Sequence, residues 1–149
     1  MKIYLKSENQ WKLFEGSFEK LLPEFEKRNI SVGEGAIVGD RAIVGDRARV
    51  GEGAIVGEGT IVGEGARVGD WARVEKTYDC VVIGPIGSRD EYITFYREKD
   101  MPEILINCGF WSGNITDFID RVKTVHSGND HERAYLAACK YAKTVMNDK

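Results

Sequence analysis

The chain has 149 residues, 30% of them charged, and a formal net charge of −3. That length suits one domain with a small appendage and is enough to bury a real core. So even a balance supplies no broad cationic field, so neither a nucleic-acid polymer nor a membrane surface is an expected partner.

Three cysteines, Cys80, Cys108 and Cys139, are widely spaced and form no CxxC pair. That pattern points to a reducing compartment and away from a disulfide framework or a structural zinc. The longest apolar runs, such as Cys80 to Ile83 and Ala134 to Cys139, are too short to cross a bilayer, and Met1 to Lys6 lacks a signal-peptide core. A soluble cytoplasmic protein with no metal and no cofactor is the expectation.

Residues 1–31 open with an alternating stretch, Lys2-Ile3-Tyr4-Leu5, which predicts a short strand. Trp11, Phe14, Phe18, Leu21, Leu22 and Phe25 then follow at roughly helical spacing. Gly16-Ser17 and Pro23 predict two short helices rather than one long one. Together these form an expected N-terminal cap, its aromatics serving as core.

Residues 32–75 obey a rule of six. Valine recurs at Val32, Val38, Val44, Val50, Val56, Val62, Val68 and Val74, with glycine after each of the first seven. Neither a helix of period 3.6 nor an alternating strand produces such a period. The physical reading is a coil with three flat sides, one hexapeptide to a side. Val fills the interior, Ala36, Ala42, Ala48, Ala54, Thr60, Ala66 and Ala72 fit the tighter space beside it, and Gly-Glu or Gly-Asp sits at the turns. Such a coil would have roughly two and a third turns, too few to be secure alone.

The pattern V-G-[ED]-x-[AT]-x resembles the hexapeptide-repeat family of left-handed parallel β-helices, best known from trimeric acyltransferases. The resemblance covers less than a third of the chain and implies a mainly β fold with a left-handed rod. The residue before each Val points outward and returns to the same side three hexapeptides later. One side thus carries Ile37, Ile55 and Arg73, the next Ile43 and Ile61, and the third Arg49 and Arg67. Two greasy sides and one charged side suit a homotrimer, in which each rod touches two neighbours through Ile37, Ile43, Ile55 and Ile61. Family enzymes generally use a histidine on a coil loop, yet His126 and His131, the only two, lie far beyond the repeats. An acyltransferase would have to recruit one of them, so no catalytic residue is assigned.

Residues 76–149 read as an α+β module. Cys80 to Ile83, Tyr92 to Tyr96 and Ile104 to Cys108 predict three strands, with Lys99-Asp100-Met101-Pro102 as a hairpin loop. Two helices follow. The first carries Ile115, Phe118, Ile119, Val122 and Val125 behind an Asn114/Asp117 cap, and the second carries Tyr135, Leu136, Cys139 and Ala142.

Gly84-Pro85-Ile86-Gly87-Ser88-Arg89 offers glycines for close approach and, in Gly87, Ser88 and Arg89, donors for a phosphate; an ordinary hairpin turn is the competing reading. Phe110-Trp111, between glycines, offers a stacking surface for a base. Tyr92, Thr94 and Tyr96 share one strand face that is exposed, lines a pocket or meets a partner, while Ile93 and Phe95 face the core. His131, near a helix start, is a candidate anion contact, and His126 ends the preceding helix.

The run Gly-Pro-Ile-Gly-Ser-Arg, Thr-Phe-Tyr, Cys-Gly-Phe-Trp resembles a small domain of phage and bacterial proteins whose function is unassigned. Phages also use compact oligomers as sponges for nucleotide messengers of host immunity. These resemblances imply a non-enzymatic trimer that sequesters a small phosphorylated ligand or cyclic nucleotide, in the host cytoplasm if phage-encoded. A hexapeptide-repeat acyltransferase and a structural adaptor trimer are the alternatives.

Overall fold

A computed structural model describes residues 1–98, 101–109 and 111–146. Strand residues outnumber helical ones, and the chain is mainly β. The first two strands, β1 (Lys2–Ser7) and β2 (Gln10–Glu15), form an antiparallel hairpin closed by Glu8 and Asn9, both at positive φ. A two-residue turn of that kind matches the right-handed twist of its strands. Helix α1 (Phe18–Lys27) follows, capped by the Ser17 side chain, and it runs through Pro23. The two short helices expected in residues 1–31 are therefore a hairpin and a single helix. Trp11 and Phe14 had the spacing of a helix but lie on β2, which β1 holds in register.

Eight short strands come next: β3 (Ser31–Val32), β4 (Ile37–Val38), β5 (Ala42–Val44), β6 (Arg49–Val50), β7 (Ile55–Val56), β8 (Ile61–Val62), β9 (Arg67–Val68) and β10 (Arg73–Val74). The chain visits three parallel ladders in rotation: β3-β6-β9, β4-β7-β10 and β5-β8. Strand β1 joins the last of these in parallel, with Ile3 beside Ala42 and Leu5 beside Val44, so the hairpin occupies the place of a missing rung. Within the ladders each of the first five valines pairs with the Val eighteen residues on, as in Val38 with Val56 and Val50 with Val68. From Val44 onward these valines are all but inaccessible, as are Ala42, Ala48, Ala54, Thr60, Ala66 and Ala72.

The glycines of the repeat divide into two kinds. The second glycine of a hexapeptide, at Gly35, Gly53, Gly59 and Gly65, has φ between +66° and +74°. Arg41, Arg47 and Trp71 take the same conformation at equivalent positions. The glycine after Val is different, because a Cβ on Gly39 would lie 2.5 Å from the backbone nitrogen of Glu58 in the next rung. Close approach between rungs, rather than turn freedom, demands glycine there.

The C-terminal sheet has four antiparallel strands in chain order: β11 (Cys80–Ile86), β12 (Glu91–Tyr96), β13 (Leu105–Cys108) and β14 (Trp111–Asn114). Helices α2 (Ile115–Val125) and α3 (Asp130–Val145) cover one of its faces. Three strands were expected; the fourth, β14, forms by pairing with β13. Of the proposed hairpin loop, Lys99 and Asp100 lie outside the described residues.

The sheet is a wall shared by two cores. Val81, Ile93, Phe95, Ile106 and Cys108 pack with Ile115, Phe118, Val122, Tyr135 and Cys139 of the helices. Cys80 and Tyr96 join the repeat valines on the other side, with Val82 and Leu105 packed against them. Val125, expected in the first helix's apolar stripe, is instead exposed at its end.

Helix α2 starts where the Asn114 side chain accepts a hydrogen bond from the backbone of Asp117, at 2.8 Å. Asn114→Ala leaves that donor without its partner and is expected to cost about 1 kcal/mol. In a chain of this size that corresponds to a fall in Tm of roughly 3 °C, readable by calorimetry.

Candidate functional site

Sheet and helices together frame an open cavity of about 300 Å³, at the small end of the range typical of ligand pockets. The turn after β11 contributes Ser88 and Arg89, and the sheet contributes Glu91, Cys108 and Trp111. Phe118, Arg121, Val122 and His126 come from α2 and its end, and Tyr135 from α3.

The floor is aromatic. Trp111 and Phe118 have ring centroids 5.2 Å apart, Phe118 meets Tyr135 edge-on at 5.6 Å, and His126 lies 5.5 Å from Tyr135. Burial raises the pKa of the Tyr135 hydroxyl, so at neutral pH it is an uncharged donor and acceptor. Burial, with Glu91 alongside, pushes the Cys108 thiol up to about 11. It stays protonated and lies 3.8 Å from a Glu91 carboxylate oxygen, to which it donates. Two arginines, Arg89 and Arg121, line the cavity with a single acidic residue, Glu91, beside rings on which a flat ligand can stack.

The glycine run has less freedom than its composition suggests. Gly84 to Ile86 belong to β11, whose pairing with β12 is irregular between Ile83 and Ile86. Gly87 does have φ +80°, but it also sits against the hydroxyl end of Tyr135, and an added Cβ would come within 2.7 Å of Cζ. Its role is to admit Tyr135, while Ser88 and Arg89 carry the donors.

Of the residues singled out in sequence, Ser88, Arg89 and Trp111 meet in this cavity. His131 does not line it, and its ring lies 5.5 Å from that of His126. Phe110 lies outside the described residues.

Thr94 and Tyr96 lie on the opposite face of the sheet and are buried. Thr94, 1% exposed, accepts a hydrogen bond from the Arg67 backbone nitrogen at 2.8 Å through its hydroxyl, and Asn107 donates to the Arg67 carbonyl at 2.9 Å. Tyr96 packs its hydroxyl against Gly69. The Arg97 carbonyl accepts from the Arg73 nitrogen at 2.7 Å. These groups satisfy the open ends of two ladders, which would otherwise expose unpaired backbone. Tyr92, on the same strand face, is exposed and flanks Gly65 in a separate trough.

Arg121, His126 and Tyr135 were not assigned to a ligand from sequence. Their spacing on α2 and α3 signals only helix faces, and the meeting with Arg89 depends on how the helices cross the sheet. Among the described residues, no group of three or more His, Cys, Asp or Glu could hold a metal ion, and no helix is long and apolar enough to cross a membrane. Compared with family models, curated proteins and solved structures, the chain gives no match.

Proposed function

We propose that the chain is the subunit of a non-enzymatic homotrimer whose repeats wind as a left-handed β-helix and whose C-terminal modules bind a small phosphorylated ligand. A nucleotide is the ligand chemistry that fits best, and sequestering a nucleotide signal, as a phage sponge does, is the role we assign. One observation carries the binding reading. Ser88, Arg89 and Arg121 line a cavity floored by Trp111, Phe118 and Tyr135, so a phosphate and a base can be held together.

Calorimetric titration with a panel of mono-, cyclic and dinucleotides tests it. Arg89→Ala removes a charge-assisted hydrogen bond of about 1.5–3 kcal/mol, so affinity is expected to fall by about 10- to 100-fold with the assembly unchanged. Unaltered affinity in that variant would sink the phosphate assignment. A second reading, acyl transfer from an acyl-CoA, is favoured by the presence of His126 in the same cavity. Acetyl-CoA turnover that disappears in His126→Ala would establish it, whereas nucleotide affinity without turnover supports the sponge. Neither affinity nor turnover would leave a structural adaptor.

A further inference from the structure

We infer a second ligand site, separate from the module cavity, in a trough of about 950 Å³ on the arginine-bearing side of the repeats. Its ligand class is a small sugar phosphate, with one anionic group flanked by hydroxyls.

The floor is the ladder β3-β6-β9. Ser31, Arg49 and Arg67 stand in register on successive rungs, and because Val50 and Val68 turn inward, the two arginines turn outward. Neighbouring rungs are about 4.8 Å apart, so the two arginines leave the ladder one rung apart and on the same side. Arg47, a third cation in the trough, is paired with Glu64, but among the described residues Arg49 makes no ion pair. Arg67 is held in place, since its guanidinium donates to the Gly109 carbonyl at 2.9 Å and its backbone is fixed by Thr94 and Asn107. An anion between Arg49 and Arg67 meets two cations, one of them, Arg67, already positioned.

The trough also has walls, which a merely solvated row of charge would lack. Glu26 and Asn29 bound it beside the end of α1, and Glu91, Tyr92 and Gly109 bound it beside the module. Carboxylates at both ends disfavour an extended polyanion such as a nucleic-acid strand, yet they readily accept hydrogen bonds from hydroxyls. The Tyr92 ring, against which a Cβ on Gly65 would sit at 3.4 Å, offers a flat apolar surface to a sugar face. Glu91 alone is common to the trough and the module cavity, so the two sites are distinct.

Ribose 5-phosphate, ribose and inorganic phosphate, titrated against the full chain, provide the test. Ribose 5-phosphate is expected to bind more tightly than either fragment. Arg49→Gln should weaken it by about tenfold or more, as the loss of a charge-assisted contact requires. Arg49 is exposed and makes no ion pair among the described residues, so circular dichroism should show this variant folded as the parent is. Arg89→Gln, in the other cavity, should leave unchanged the component of binding that Arg49→Gln removes. Absence of binding, undiminished binding in Arg49→Gln, or loss confined to Arg89→Gln would each overturn the site, and inorganic phosphate binding as tightly as ribose 5-phosphate would overturn the ligand class.

Discussion

Replacing Gly51 by alanine is expected to lower the Tm by about 10 °C or more. A Cβ at that position would lie 2.5 Å from both the Asp70 nitrogen and the Gly69 carbonyl carbon. Those neighbours are backbone and have no rotamer to change. The rungs cannot separate either, because the Gly51 nitrogen donates to the Val68 carbonyl at 2.8 Å and Val50 pairs with Val68 in the interior. Relief must come by breaking the ladder, at about 3 kcal/mol or more, a large part of the 5–15 kcal/mol that stabilises an ordinary domain. Gly59 is the control, since its φ is +70° but a Cβ there would meet nothing within 4 Å. Gly59→Ala incurs only the left-handed backbone penalty, about 1 kcal/mol. Thermal unfolding should show a shift of a few degrees for Gly59→Ala and one of about 10 °C or more for Gly51→Ala. Equal shifts would remove close approach as the reason for the glycine after valine.

The contrast marks where sequence reasoning stops. A period of six identifies the inward Val and Ala and the three rows of outward residues, because all of these follow from which positions return to the same ladder. It does not separate the two glycines, since one answers to its own φ and the other to a backbone nineteen residues away. The N-terminal hairpin was hidden for a similar reason. Glu8 and Asn9 carry none of the glycine that usually marks such a turn, and Trp11 and Phe14 fit a helix as well as a strand.

On β12, alternation correctly put Ile93 and Phe95 in a core, but it could not show that Thr94 and Tyr96 close the end of the repeat ladders. The cavity was half legible. Ser88, Arg89 and Trp111 stand out locally, as a turn and an aromatic beside glycine, whereas Arg121, His126 and Tyr135 join them only through the packing of two helices on a sheet.

Under the proposed trimer, lysine at both Ile43 and Ile61 is expected to reduce the hydrodynamic mass from three chains to one. The two isoleucines are neighbours on adjacent rungs, and the row does not stop with them. Tyr4 lies beside Ile43 in register, and Leu13 lies beside Tyr4 on the outer strand of the hairpin. An apolar line thus crosses four strands, with Ile61 42% exposed at one end and Leu13 41% exposed at the other. The adjoining side adds Ile37, 60% exposed, and Ile55 on the next rung. Full burial of an isoleucine gives roughly 1.5–3 kcal/mol, so two lysines remove that gain twice in each subunit and set ammonium groups against a greasy neighbour. Both positions face outward, so the variant should keep the parent's circular dichroism while sedimentation reports a single chain. A parent that already sediments as one chain, or a double variant that still sediments as three, would refute the proposed interface.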